Sequence, residues 1–403
     1  MLDGLEHIDW HALSHAYGEA DDVPGLLRDI LSSDDERREQ ALTMLSLSLC
    51  HQGTVYSASA HAVPFLVALL TNDAAQDKAY FLLLLACMAQ GDAYHRQHLD
   101  YFSEDTQQDP AFQNKLAEEV DWAEKTRHAV HQSMSLYLEL LSHPDREMRM
   151  NAAYILAQFP EDASSIAPFL RSQIAREGDY QAKASMLLNL GALGEAVPEN
   201  RFLLTTALQE EEAQEGNALI RLAAATASVW LGSTEVPQEA ITILVEILSS
   251  PKSPALFEAY AALPWVEGSL AFFAGCALQR LPPEHLQDFL PQLAHAIEIV
   301  DYYDVEVVIQ TLLYIAFGNR PLPEPVTAEH LSEQQHWVLS VLAQSTAVWH
   351  PASGLYARRS TLLPALSRYV EEPESVVVIN DDLQALGLPD RQQDLQDFLN
   401  MLS

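Results

Sequence analysis

A chain of 403 residues with 48% hydrophobic side chains can bury a large continuous core, as two or three domains or as one extended array. Asp and Glu number 57 against 22 Lys and Arg, a formal charge of −35. That charge repels nucleic acid and anionic membrane surfaces and either serves solubility or attracts basic proteins or cations. Leu, Ala, Gln and Glu dominate while Val/Ile/Thr alternation is rare, so the fold class predicted is all-α.

The first residues, Met-Leu-Asp-Gly-Leu-Glu-His, are acidic and lack the basic flank and apolar core of a signal peptide. The longest apolar run, Ala79 to Ala89, is too short to span a bilayer. Cys50, Cys87 and Cys276 sit in apolar helical runs, and so sparse and odd a count predicts reduced core thiols. A soluble, cytoplasmic protein is the expectation.

In chain order, residues 1–20 read as an N-terminal capping helix around Ile8, Trp10, Leu13 and Tyr17. Val23-Pro24 opens the next helix, and Asp34 precedes one carrying Arg38, Ala41, Leu42 and Leu45. The run Cys50 to Tyr56 breaks that helix at Gly53, read as a C-cap. Helix resumes at Ser57–Leu70 and again at Ala79–Ala89. Residues 91–128 are polar and depart from the pattern, as an insertion or as one degenerate repeat with a long helix. Helical hairpins then continue to about residue 320. Pro321–Pro325 is a stiff linker, and 326–403 form a C-terminal helical cap. That cap contains a His350–Gly354 loop, a Leu362–Tyr369 helix and a strand-like Val376–Ile379.

The stretch 143–159 sets the grammar. Asp145 caps a helix whose Met148, Ala152, Ile155, Leu156 and Phe159 share one face, and Arg149 follows the cap by one turn. The same offset recurs in Asp34/Arg38, Asp179/Lys183 and Asn217/Arg221. A short polar residue there caps the second helix of a pair, and the cation can reach the cap of its own or a neighbouring pair. Each pair opens an Ala/Leu-rich helix, at the spacing of paired-helix repeats. Residues 20–320 therefore resemble HEAT-repeat (armadillo-like) proteins. The resemblance implies an α-solenoid of antiparallel helix pairs across 21–320. A His-Gln-Gly-Thr-Val-Tyr stretch, here His51–Tyr56, and the short C-terminal segment resemble those of a group of bacterial HEAT-repeat proteins. No activity follows from that resemblance.

Candidate chemistry is sparse. His7, His11 and His15 would share one helix face, but ligands spread along about 12 Å of helix cannot converge on one tetrahedral centre. His95/His98 and His128/His131, bordered by Asp92, Asp100 and Asp121, would need to meet across a helical hairpin to hold a metal. No metal or cofactor is assigned. Polar side chains at a helix junction can line a pocket, so the candidate binding residues are His51, Gln52, Thr54 and Tyr56, with His95, His98, Tyr101, Trp122 and His128. The acidic run Glu210–Glu212 with Glu215 reads as a solvated face.

These readings point to a non-catalytic protein–protein interaction module or scaffold, an acidic antagonist of a basic protein, gripping with a concave groove or with 91–128. The alternative is a HEAT-like enzyme of the DNA glycosylase or bilin lyase type. A glycosylase needs a basic groove, and the Lys and Arg between Lys115 and Lys183 alternate with acids.

Overall fold

The computed structural model describes residues 2–210, 216–232, 235–250, 253–266, 268–318, 322, 328–349 and 379–400. Within them the chain is mostly helical, with four strands of two residues each. No single described helix is long and apolar enough to cross a membrane. The chain divides into two compact units, Met1–Asn189 and Leu190–Ser403, with the division inside the Tyr180–Ala192 helix. The Pro321–Pro325 linker (apart from Leu322), His350–Gly354, Leu362–Tyr369, Val376–Val378 and the acids Glu211, Glu212 and Glu215 lie outside the described residues. Ile379 opens a helix, Ile379–Ala385, rather than closing a strand.

In the first unit the expected capping helix over 1–20 is absent. Two 3-10 turns, Leu5–His7 and Trp10–Ala12, lead into a β-hairpin that pairs Ser14–His15 with Gly18–Glu19. Trp10 is buried with its indole N–H on the Leu5 carbonyl at 2.9 Å, so it holds the end shut without a helix. His7, His11 and His15 consequently share no helix face.

The helices Ser57–Leu70 and Lys78–Gln90 form the centre of this unit. Phe81, Leu82, Leu84, Leu85, Ala86, Met88 and Ala89 are all buried. The Lys78–Gln90 helix packs on Ser57–Leu70, Pro110–His131 and Arg146–Leu156 together, which explains why its sequence has no polar face. The long Pro110–His131 helix lies within the polar stretch 91–128 and beyond it. It buries Phe112, Glu119, Ala123, Thr126 and Val130 along one side, against Ser57–Leu70 and Lys78–Gln90. In the second unit, Asn217–Trp230 packs on Gln238–Ser249, which packs on Leu270–Leu278, which packs on Tyr302–Phe317. Gly191 is tight against Ala227, where an added Cβ would sit 2.5 Å from the Ala227 Cα.

Three of the four recurring polar residues cap their helices in the same way. Asp34, Asp145 and Asp179 each accept hydrogen bonds from the second and third amides of the helix they open, at 2.7–3.3 Å. The Asn217 helix differs: Gly216, at φ +84°, takes the cap position and Asn217 is the first helical residue. Each arginine then joins two turns. Arg38 donates to the Ser32 carbonyl behind it and to Asp77, the residue before the Lys78–Gln90 helix, at 2.7 Å. Arg149 donates to the His143 and Pro144 carbonyls and holds Glu177 through two bonds of 2.8 and 2.9 Å. Glu177 accepts in turn from the Asp179 amide. Arg221 donates to the Leu208 carbonyl, and its guanidinium lies 3.9 Å from Glu239. Lys183 lies half-buried on the Asp179-capped helix.

Burial pushes the Glu177 carboxyl up, but the bonds from Arg149 and the Asp179 amide outweigh it, and the group sits below its ordinary value. A depressed carboxylate contributes its stability above the ordinary carboxylate range and loses it as pH falls through the folded value. Arg149→Ala is expected to lower unfolding free energy by about 3 kcal/mol at neutral pH, because it strands a buried carboxylate. Urea titrations of both proteins will find the gap narrowing toward acid pH, where Glu177 is protonated.

Candidate functional site

Two β-hairpins and the segment after Gly91 assemble one face of the first unit. The second hairpin pairs Cys50–His51 with Thr54–Val55. Its corner residues Gln52 and Gly53 both have positive φ, +49° and +81°, as a two-residue type I′ turn demands. The preceding helix therefore ends at Leu49, and Gly53 is a hairpin corner instead of a helix C-cap.

The hairpins brace each other. The Ala16 amide donates to the Ser48 carbonyl at 3.0 Å, and the Ser14 amide donates to the Ser57 hydroxyl at 2.7 Å. Tyr17 meets His51 edge-on, with ring centres 5.5 Å apart. On the other edge, Asp92 extends the ladder by donating its amide to Gly53 O and accepting from Val55 N. Gln97 ties the corner down, donating to Gly53 O at 2.9 Å and accepting from the Thr54 hydroxyl at 3.2 Å. Gly91 is required beside Val55, where an added Cβ would lie 2.3 Å from Cγ1.

A disulfide joins Cys50 to Cys87, with Cα atoms 6.4 Å apart, and fastens the second hairpin to the Lys78–Gln90 helix. The expectation of reduced core thiols is thus corrected for these two residues. Cys276 is exposed rather than buried in a core. The cysteines lie 37 positions apart, and only the return of the hairpin onto the helix brings them together.

Behind the hairpin, buried Glu119 of the Pro110–His131 helix accepts from the backbone amide of His95 at 3.0 Å and from its Nδ1 at 2.9 Å. The His95 ring is stacked against Phe102 and met edge-on by Phe112, at 5.3 and 4.8 Å. This histidine anchors the 92–102 segment to the long helix. Burial, with Glu119, Tyr17 and Tyr94 nearby, pushes the half-buried Tyr56 hydroxyl up to about 12, so it remains a phenol at physiological pH. His15 donates from Nε2 to Asp22 and accepts the Tyr17 amide at Nδ1, which satisfies both ring nitrogens.

The outer edge is acidic. His11 Nδ1 lies 3.1 Å from both Glu19 and Asp21. The Asp21 hydrogen bond, then the charges of Glu19 and Asp21, raise the pKa of this exposed imidazole.

His51, Gln52, Thr54, Tyr56, His95, His98 and Tyr101 therefore belong to one region, as anchors and as surface. Of the other two candidates, Trp122 follows Glu119 by three residues on the same helix. Trp122 is half-buried beneath the Lys115 ammonium at 4.4 Å. His128 lies nine residues beyond Glu119, about 13 Å along the helix. Further on, His131 is paired with Asp162, so the imidazoles of 95/98 and 128/131 do not converge. The sequence places Tyr17 in a capping helix and Asp92 only beside the His95/His98 pair, and does not mark Tyr94, Gln97 or Glu119. The turn-forming Tyr17-Gly18 and Gln52-Gly53 pairs were the available signal for the first of these. No family model matches this chain, and no curated protein matches it either.

Two substitutions test the bracing. Gly91→Ala should cost about 1–3 kcal/mol by forcing Val55 aside. Cys87→Ser should cost on the order of 3 kcal/mol in non-reducing buffer and nothing beyond its packing loss once the parent is reduced, as read from urea unfolding.

Proposed function

We propose that this chain is a non-catalytic protein-binding module of HEAT-type helix pairs, whose twin-hairpin face grips a basic protein. The observation that carries this reading is the exposure of large aromatic rings on a cross-braced support: Tyr17, Tyr94 and Tyr101 are 58%, 42% and 81% exposed. Tyrosines held rigidly at a surface lose little entropy on binding and are enriched in interfaces. Tyr17 and Tyr94 both lie near the Tyr56 hydroxyl, and Tyr101 follows Tyr94 through His98, so they belong to one face.

Charge supplies the partner class. Residues 1–35 carry Asp3, Glu6, Asp9, Glu19, Asp21, Asp22, Asp29, Asp34 and Asp35 against Arg28 alone. Such a field steers and holds a cationic surface. The repeat reading rests on the shared cap-and-arginine geometry and on the stepwise packing of successive helices within the second unit. His95 and Glu119, the pair most like an acid–base couple, are occupied with each other and with Phe102 and Phe112, which favours anchoring over catalysis.

The test is affinity capture with the full chain and with Tyr17→Ala/Tyr101→Ala, both checked for equal unfolding midpoints. A basic protein is expected on the parent and absent from the variant. Its binding should weaken steeply as salt shortens the screening length from about 10 Å at 0.1 M to about 3 Å at 1 M. Salt-insensitive capture, or capture that survives the double substitution, overturns the proposal.

A further inference from the structure

The strip from Tyr94 to Tyr101 has a composition that narrows what the partner presents. Tyr94 stacks on His98 with ring centres 4.2 Å apart and planes 29° from parallel. His98 lies 5.4 Å from Tyr101, tilted at 39°. The three rings form a short ladder along one turn and the next. It is held from within, since His98 Nδ1 donates to the Tyr94 carbonyl at 2.8 Å and the Tyr101 amide donates to the His98 carbonyl at 3.0 Å.

Carboxylates flank the ladder. Asp100, Glu104 and Asp105 are exposed, and their side chains meet no cation among the described residues. Arg96, the one cation within 92–105, is already held by Asp92 through both carboxylate oxygens. The ladder therefore ends in an exposed ring, Tyr101, within a stretch of chain whose Asp100, Glu104 and Asp105 are uncompensated.

Among the described residues the chain fills that combination with a lysine, Lys115 lying 4.4 Å from the Trp122 ring centre and donating to Glu118 at 3.0 Å, and with an arginine. The Arg127 guanidinium lies 4.7 Å over the Phe159 ring while its Nη2 donates to both oxygens of Glu161 at 2.7 and 2.9 Å. Ring face and carboxylate together hold a planar cation there.

We propose that the Tyr94–His98–Tyr101 ladder, with Asp100, Glu104 and Asp105, is a docking strip for an arginine side chain in a basic segment of the partner protein. The inference rests on the protein-binding reading above and names the group that is read. Arginine fits because its guanidinium is planar and weakly hydrated, stacks on aromatic rings, and still presents a fork of donors to a carboxylate. A lysine ammonium matches the charge but is more strongly hydrated and has no plane to stack. The strip thus discriminates between two cations that an acidic surface alone would treat alike.

The experiment uses the full chain and two labelled probes, oligo-arginine and oligo-lysine peptides of equal length and charge, followed by fluorescence anisotropy at physiological salt. The arginine peptide is expected to bind about two- to fivefold tighter, the size of one exposed cation–π contact. Tyr101→Leu should bring it to the level of the lysine peptide, while Tyr101→Phe, which keeps the ring, should retain the preference. Tyr101 is so exposed that neither change should shift the unfolding midpoint, which is measured alongside. Equal affinities for the two peptides, or an arginine preference that survives Tyr101→Leu, overturn the inference. In that outcome a basic protein captured through the twin-hairpin face still stands. If neither peptide binds even at low salt, the inference is overturned and the basic-partner reading falls with it.

Discussion

The frame depends on an arginine that lies between two turns. Arg38, Arg149 and Arg221 each satisfy a carbonyl in the turn behind them and approach a carboxylate ahead, at Asp77, Glu177 or Glu239. Helix ends leave backbone groups without partners, and a short-turn helix pair concentrates two such ends in one place. A guanidinium, with five donors in a fixed fork, can serve a carbonyl and a carboxylate at once. Arg149 and Glu177 are the most enclosed of these pairs, which makes them the most sensitive to removal of one partner. At Arg38 and Arg149 an aspartate cap contributes the other half of the junction by closing the helix that carries the arginine, whereas Gly216 takes that position before Arg221.

That regular support allows irregular structure at one place. Neither two-residue hairpin has enough pairing to persist alone in water. The first is pinned through Ser48 and Ser57, the second through Asp92, Gln97 and the disulfide to Cys87. Glu119 reaches from the long helix to hold His95, so the aromatic residues on the outer side need form no core contacts of their own. Their exposure is a consequence of how many anchors lie beneath them. A surface of this kind presents rings in fixed positions, and that is what separates it from an acidic surface that is merely soluble.

Much of the frame was legible in the sequence because it rests on local rules. Asp145 before a face of Met148, Ala152, Ile155 and Leu156 announces a capped helix, and the offset to Arg149 repeats. What could not be read was whatever depends on tertiary return. Cys50 and Cys87 look like ordinary core thiols until the hairpin folds back onto the helix. Gly53 has the same meaning locally whether it closes a helix or turns a hairpin, and the Gln52-Gly53 pair decides it only once a type I′ corner is considered. Residues 1–20 misled because Trp10, Leu13 and Tyr17 mimic helical spacing while Tyr17 in fact faces solvent. His128 lies too far along the long helix from Glu119 to meet His95, which residue type alone does not show. His51 and Thr54 pair within the second hairpin and Tyr56 follows it, whereas Tyr94 comes near them only through tertiary return.

The claim that ties these parts together is that recognition lives on the twin-hairpin face while the arginine junctions serve only the frame. Hydrogen–deuterium exchange of the full chain, free and saturated with the basic protein it captures, addresses that division directly. New protection is expected only at residues 14–19, 50–56 and 92–105, with the helices around Arg149 exchanging as before. Protection centred on the Arg146–Leu156 helix, with the hairpins unchanged, would contradict it.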